Sequence, residues 1–331
     1  MAASGDWLHV LTDRERAEVH AAVEAALSRG LHFLAIDREA FPLAGFGATL
    51  ADIRRELLYG RGFVLFRGLG IDPADRRRAA LAFWGIAMHL GDGALTQNAK
   101  GHVLGHVRDI GETRGNVLQR GPYSREALPY HCDCCDLAGL CCIHPAKRGG
   151  ESAIISSVAV HNEMLESRPE LVEALTHPVG RDRRGEVPPG MDGWYAIPVF
   201  NVHNGWFSAS IEPTYIGSAE RFPGAPRRTK LQREAIEEVL RICEARRFAM
   251  EFLPGDIQFV NSHVTFHTRS AYEDHDAPER KRHLFRIWLK CLDGRPLPHW
   301  FYDRHGPRGA VDRPGGIVGP GTVPVAPLEA G

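Results

Sequence analysis

Three helical patterns open the chain, and beyond about Val103 the apolar runs shorten to strand length. RERAEVHAAVEAALSRG follows Thr12, with Glu15 three residues on, and reads as a capped surface helix stopped at Gly30. FGATLADIRRELLYGRG reads as a second helix closed by Gly60 and Gly62, and FVLFRGL, Phe63 to Leu69, as a short apolar strand. A third helix, DPADRRRAALAFWGIAMHLG, is expected to start at Asp72 or Pro73. HVLGHVRDI, DLAGLCCIH, ESAIISSVAV, AIPVFNVHN, WFSASIEP, RRFAMEFLPGDIQFVN and HLFRIWLKCL then alternate with Gly and Pro, the texture of a β-sandwich or barrel. VAVHNEMLESRPELVEAL and TKLQREAIEEVLRICEARR interrupt them as helical patterns. The expected class is α+β: a jelly-roll-like core with flanking helices.

At 331 residues, 44% of them hydrophobic and 24% charged, the chain has material for one large core. We expect one domain over residues 1–302, with N-terminal helices to about 60 and a β core over about 61–295. The Gly- and Pro-rich segment 303–331 is expected to be a mobile tail. Forty Lys and Arg against 41 Asp and Glu leave no global field to attract nucleic acid or an anionic membrane, which favours a small-molecule partner. The N-terminus lacks a basic segment followed by an apolar run, and no apolar stretch approaches the roughly 18 residues that span a bilayer. The expected location is the cytoplasm.

Five of the seven cysteines crowd into YHCDCCDLAGLCCIH, Tyr130 to His144. Their spacings, Cys-x-Cys-Cys and Cys-Cys, match no zinc knuckle, and buried Cys behaves as a small hydrophobe, so LCC is expected in the core. Side chains alternate along a strand, so His131 and Asp133 point one way and Cys132 and Cys134 the other. A His-x-Asp pair plus a distant His makes the two-His-one-carboxylate arrangement that leaves positions open on non-haem Fe(II). Downstream, His263 and His267 lie just beyond an expected strand, Ile257 to Val260. Val264 follows His263 where a helical zinc-protease pair needs Glu.

His131-Cys132-Asp133, His267 in NSHVTFHTRS, RGGES at 148–152 and RHLFR at 282–286 together resemble the taurine dioxygenase and chlorophenoxyacetate dioxygenase family. The match runs in order from about Gly62 to Leu289. The resemblance implies a double-stranded β-helix and an Fe(II)-dependent oxygenase with 2-oxoglutarate and O2 as co-substrates. It implies His131, Asp133 and His267 as iron ligands, with His263 the competitor for the third place. It also implies Arg286 as the grip on the distal carboxylate of 2-oxoglutarate, helped by Arg282, with Ser152 in the place of a helping hydroxyl. Arginine suits that role because its planar fork holds a carboxylate through two charge-assisted hydrogen bonds. Arg286 is set within LFRIWL, where a strand puts it on one face with Leu284 and Trp288 and leaves Phe285 and Ile287 on the other.

Related halogenases lack the carboxylate at the Asp133 position, so hydroxylation is expected, with oxidative desaturation or cyclisation as the alternative on the same cofactors. The insertion RDRRGEVPPGMDGWYAIPVFNVHNG, Arg181 to Gly205, reads as a lid or binding loop. Its Arg183, Arg184, Trp194 and Tyr195, with Gln97 and Asn98 of LTQNAKG, are the candidate substrate contacts. The cations suit a small carboxylate or an amino-acid-like metabolite. A reading of another class stays open here: a non-catalytic zinc or redox-sensing thiol protein.

Overall fold

The computed structural model describes residues 5–111, 121–306, 309–319 and 321–329. The larger sheet runs in the order β1 (Leu8–Val10), β2 (Phe63–Arg67), β14 (Ile257–Asn261), β6 (Leu137–His144), β17 (His283–Lys290) and β3 (Gly93–Leu95), with β4 (Leu104–Val107) also on β17. The smaller sheet runs β13 (Phe248–Met250), β8 (Ser152–Ser156), β15 (Thr265–Arg269) and β5 (Leu128–His131). Except for β1 on β2, all these pairs are antiparallel. A two-stranded pair, β7 (Arg148–Gly149) with β16 (Tyr272–Glu273), extends beside the smaller sheet.

Period-two burial on both faces explains the layering. Along β6 and β17, Leu137, Cys141, Ile143, Phe285, Ile287 and Leu289 pack on the helical side. There they meet α1 (Asp13–Ser28), α2 (Phe46–Tyr59) and α3 (Arg76–Leu90). Ala138 and Trp288 point the other way, to Ile154 and Met250 of the smaller sheet. The smaller sheet turns Tyr130, Ile155 and Phe266 outward, against α4 (Ser157–Ser167), α5 (Pro169–Thr176) and α7 (Lys230–Arg246). The result is two face-to-face sheets of a jelly roll, with helices outside both.

The capping box forms as read: Thr12 and Glu15 each take the other's backbone N–H at the start of α1. α3 begins later than expected, at Arg76, because Asp75 rather than Asp72 accepts the Arg78 N–H. VAVHNEMLESRPELVEAL is two helices, since Pro169 has no N–H for a continuous ladder and instead sits at the first position of α5. Cys141 and Cys142 are buried among Leu, Ile and Phe, and all seven cysteines are free.

Two segments differ from expectation. The insertion after Arg181 is not a loop but two hairpins, β9 (Val179–Asp182) on β10 (Trp194–Ile197) and β11 (Phe200–His203) on β12 (Trp206–Ala209). The Gly- and Pro-rich tail, expected to be mobile, is tied down where it is described. Arg313 is 5% exposed and binds Asp136 through Nε (2.9 Å) and Nη2 (2.5 Å). The Gly316 N–H donates to Cys134 O (2.7 Å), the Ile317 N–H to Thr96 O (2.8 Å) and the Val325 N–H to Gly101 O (2.8 Å). Composition forecasts an absent core but does not register one buried ion pair that anchors a segment from outside it. No helix among the described residues is long and apolar enough to cross a membrane.

Candidate metal centre and substrate cavity

β5 ends at His131, and Asp133 lies two residues past it, on the turn into β6. His267, in the middle of β15, is the direct cross-strand partner of His131. Adjacent antiparallel strands therefore deliver two imidazoles side by side, with ring centroids 4.2 Å apart. One ligand atom from each of His131, Asp133 and His267 lies within 4.8 Å of the others, the group among the described residues that is able to hold a metal ion.

The electrostatics suit a cation at that point. His131 donates its Nδ1–H to Pro129 O (2.9 Å), which leaves the lone pair on Nε2. Burial, reinforced by the His131 ring, pushes His267 down to about 3, so its imidazole is neutral at pH 7. Burial alone would raise the Asp133 carboxyl, but Arg286 and the two imidazoles outweigh it and hold it below its usual range. A neutral His267 Nε2 and an ionised Asp133 Oδ2 face each other at 3.6 Å, too far for a hydrogen bond, and His267 Nδ1 is buried without a partner. Two facing lone-pair groups in a buried site suit a cation held between them, and the two-His-one-carboxylate set suits Fe(II). The neighbouring thiols are poor competitors, since burial pushes Cys132, Cys135, Cys141 and Cys142 up and keeps them protonated. His263, weighed above for the third position, is turned away and meets Asp136 at 2.9 Å.

Arginines flank the cluster on the inner side. Arg286 brings Nη1 to 3.4 Å from Asp133 Oδ1, donates Nε–H to Gln97 Oε1 (2.7 Å) and stacks 4.7 Å above the Trp288 ring, as the strand alternation anticipates. Arg282 is fully buried behind it and lines the same inner recess as His131, Asp133, His267, Ser152 and Arg286. Its Nη1 has no partner, and burial lowers its pKa, outweighing Tyr272, Cys142 and Asp274, which act the other way.

A second, wider cavity of about 430 Å³ opens on the other side of His131 and Asp133. Its wall includes Arg181, Arg184, Tyr195, Glu212, Tyr215, Arg286, Trp288, Arg304 and Ile317. Of the expected substrate contacts, Arg184 and Tyr195 line this cavity, and Arg183 lines a smaller recess beside it. Gln97 is outside the wall and bonds Arg286, accepting its Nε–H and donating to its carbonyl and to Val103 O. Asn98 instead donates to the Tyr123 hydroxyl and accepts the His102 N–H, and Trp194 lies beside Gly224, outside the wall. Sequence reading missed Glu212 and Tyr215, on and beside α6 (Pro213–Ala219), and Arg304 and Ile317 of the tail.

A family model described as "Taurine catabolism dioxygenase TauD, TfdA family" matches residues 28–288, most of the chain. The chain belongs to that family. This oxygenase is 33% identical over 301 residues to FR-33289 synthase of Streptomyces rubellomurinus, covering 89% of this chain and 88% of that one. Its fold is also that of solved non-haem iron oxygenases. Asparagine oxygenase, solved with Fe(II), 3-hydroxyasparagine and succinate, superposes with a TM-score of 0.66 at 17% identity, over 86% of this chain and 94% of its own. OrfP, solved with Fe and alpha-ketoglutaric acid, gives 0.62 at 13% identity, over 86% and 94%. The oxygenase is thus an Fe(II)- and 2-oxoglutarate-dependent dioxygenase that uses O2 and couples decarboxylation of the keto acid to C–H oxidation.

Proposed function

We propose that His131, Asp133 and His267 hold the iron, that Arg282 grips the distal carboxylate of 2-oxoglutarate, and that the reaction is hydroxylation of a small carboxylate or amino-acid-like metabolite in the 430 Å³ cavity. The observation that carries this reading is the cluster of two histidines and one carboxylate between two recesses, one deep with an orphaned arginine and one wide. Bound Fe(II) supplies the positions for the keto acid and O2, and with them the oxidising power for a C–H bond.

The chain's own residues orient and exclude. Arg282, buried, in no side-chain ion pair among the described residues and with Nη1 unpaired, has the charge and the free donor that the distal carboxylate needs; the nearby Asp274 carboxylate accepts its backbone N–H instead. Ser152 and Arg269 line the same recess. Arg286, which sequence reading put first, is engaged by Asp133 and Gln97, so it is better placed to steady the Asp133 carboxylate and to face the substrate. Trp288 and Ile317 give the wide cavity an apolar wall that limits water at the reacting carbon. Structural neighbours carry hydroxylated amino acids, 3-hydroxyasparagine and (3S)-hydroxy-L-Arg, which supports an amino-acid-like substrate and hydroxylation over desaturation or cyclisation. The free thiols suit a reducing compartment, and we place the protein in the cytoplasm with a small molecule, not nucleic acid, as its partner.

An anaerobic titration with Fe(II) and 2-oxoglutarate, following the weak visible charge-transfer band of the chelated keto acid, tests this. The band forms in wild type and is lost in His267→Ala. Arg282→Ala weakens 2-oxoglutarate by about 2–5 kcal/mol, roughly 30- to several thousand-fold, because a buried carboxylate loses its partner. An unchanged affinity in Arg282→Ala removes that residue from the role.

A further inference from the structure

Just past the candidate ligand Asp133, one buried carboxylate gathers the segments that build the cluster. β5 ends at His131, and the pairing of β6 with β14 and β17 begins only at Leu137, opposite Asn261 and Leu289, so Asp133 lies in an irregular stretch between the two ladders. Asp136 closes that stretch and is 1% exposed. Its backbone N–H donates to Leu289 O (3.1 Å), and its carbonyl accepts the Ser262 N–H (2.9 Å). Its carboxylate accepts from the Cys291 N–H (2.9 Å), from His263 Nε2 (2.9 Å) and from Arg313 Nε (2.9 Å) and Nη2 (2.5 Å).

These partners belong to the parts of the chain that bear the other groups of the site. Ser262 and His263 lie between β14 and β15, on the approach to His267. Leu289 and Cys291 stand at and just past the end of β17, the strand of Arg286. Arg313 belongs to the tail, whose Gly316 N–H also donates to Cys134 O (2.7 Å), next to Asp133. Within the stretch, the Cys135 N–H donates to Asp133 O (3.0 Å), and Cys135 Sγ meets Ser262 Oγ at 3.5 Å.

Packing alone does not call for a charged cluster at this point, because apolar residues of similar volume serve a core as well as a buried ion pair or better. What the carboxylate adds is direction. It takes charge-assisted hydrogen bonds from three separate segments, each with a preferred angle and length, where an apolar side chain would let the segments slide. A metal site needs that fixation, since the groups behind its ligands typically change metal affinity by about 10- to 100-fold. We propose that Asp136, held by His263 and Arg313, is a positioning residue that fixes Asp133 against His267 and so sets the affinity of the site for iron. This rests on the reading of His131, Asp133 and His267 as the iron ligands.

Anaerobic competition for Fe(II) against ferrozine, a chromogenic chelator, measures the affinity of wild type, Asp136→Asn, Arg313→Ala and a control, Arg67→Ala. The control also takes a cation from a buried carboxylate. Asp256, 1% exposed, accepts from Arg67 Nε (3.1 Å) and Nη2 (2.6 Å) and from the Leu253 N–H (2.9 Å), but its carbonyl meets the Cys142 N–H, at the other end of β6 from Asp136. The expected result is Fe(II) binding about tenfold or more weaker in Asp136→Asn and Arg313→Ala, with a shifted charge-transfer band once 2-oxoglutarate is added. Arg67→Ala should stay within about twofold of wild type although urea unfolding finds it destabilised. Asp136→Asn keeps the shape of the side chain, so it serves where Arg313→Ala does not fold. Fe(II) affinity within about twofold of wild type in every folded variant, or a loss just as large in Arg67→Ala, overturns the positioning role. A wild type that binds no Fe(II) overturns the ligand reading itself, and the positioning role with it.

Discussion

Replacing Arg313 by alanine cuts the tie between the tail and the turn that carries Asp133. Asp136, 1% exposed, accepts from Arg313 Nε and Nη2, from His263 Nε2 (2.9 Å) and from the Cys291 N–H (2.9 Å). Burial would raise its pKa, but His263 and Arg313 hold it down to about 2. Truncating one partner of a buried pair costs about 3–5 kcal/mol. Because Asp136 keeps two donors, the lower end, about 3 kcal/mol, is expected. That is a large share of the roughly 5–15 kcal/mol available to a domain. Urea unfolding of wild type and Arg313→Ala measures it, and Arg313→Ala with Asp136→Asn should be less than additive by about 1 kcal/mol or more. Acid titration adds a second reading. Asp136 has a lowered folded pKa, so its contribution is present above about 3.8 and is lost as pH falls toward 2, and this loss should shrink in Arg313→Ala. A cost below about 1 kcal/mol with full additivity would refute the anchoring role.

Other outcomes follow from single contacts. His106 and His283 form a buried pair (2.8 Å), and His106 also donates to Pro327 O in the tail (3.1 Å). Burial lowers both, His106 from 6.5 to about 4, so between those values the unfolded chain binds protons that the folded one refuses. Stability should therefore fall as pH drops from 6.5 toward 4, by up to about 3 kcal/mol for His106, and His106→Gln should flatten that slope in pH-dependent unfolding. Gly139→Ala would place Cβ 2.5 Å from the Phe259 ring and 2.8 Å from Ile287 Cγ2, and should cost about 1–3 kcal/mol by thermal unfolding. An unshifted melting temperature would mean that β6 yields there.

What was legible in the sequence was what local periodicity encodes. The alternation of LFRIWL placed Arg286 with Trp288 and away from Phe285 and Ile287, and His-x-Asp with a distant His in strand context foretold the cluster that β5 and β15 assemble. What was illegible depended on distance or on short elements. Arg313 lies 177 residues from Asp136, and nothing in a Gly- and Pro-rich segment signals that partnership. The hairpin strands after Val179 are four residues each and flank Pro188, Pro189 and Gly190, so they resembled a loop. Arg304 entered the cavity wall only because the tail folds back.

The ligand cluster sits on β5 and β15, inside the jelly roll, whereas Arg181, Tyr195 and Arg304 come from a hairpin and a tail laid onto it from outside. Inheritance can act on these two parts at different rates. Substitutions in the appended segments alter what is accepted without disturbing the strands that hold the iron, since distant sites combine nearly additively. Descendants of one such scaffold can thus diverge in diet while keeping the same chemistry, and a laboratory selection for new substrates would do best to confine its diversity to the same two segments.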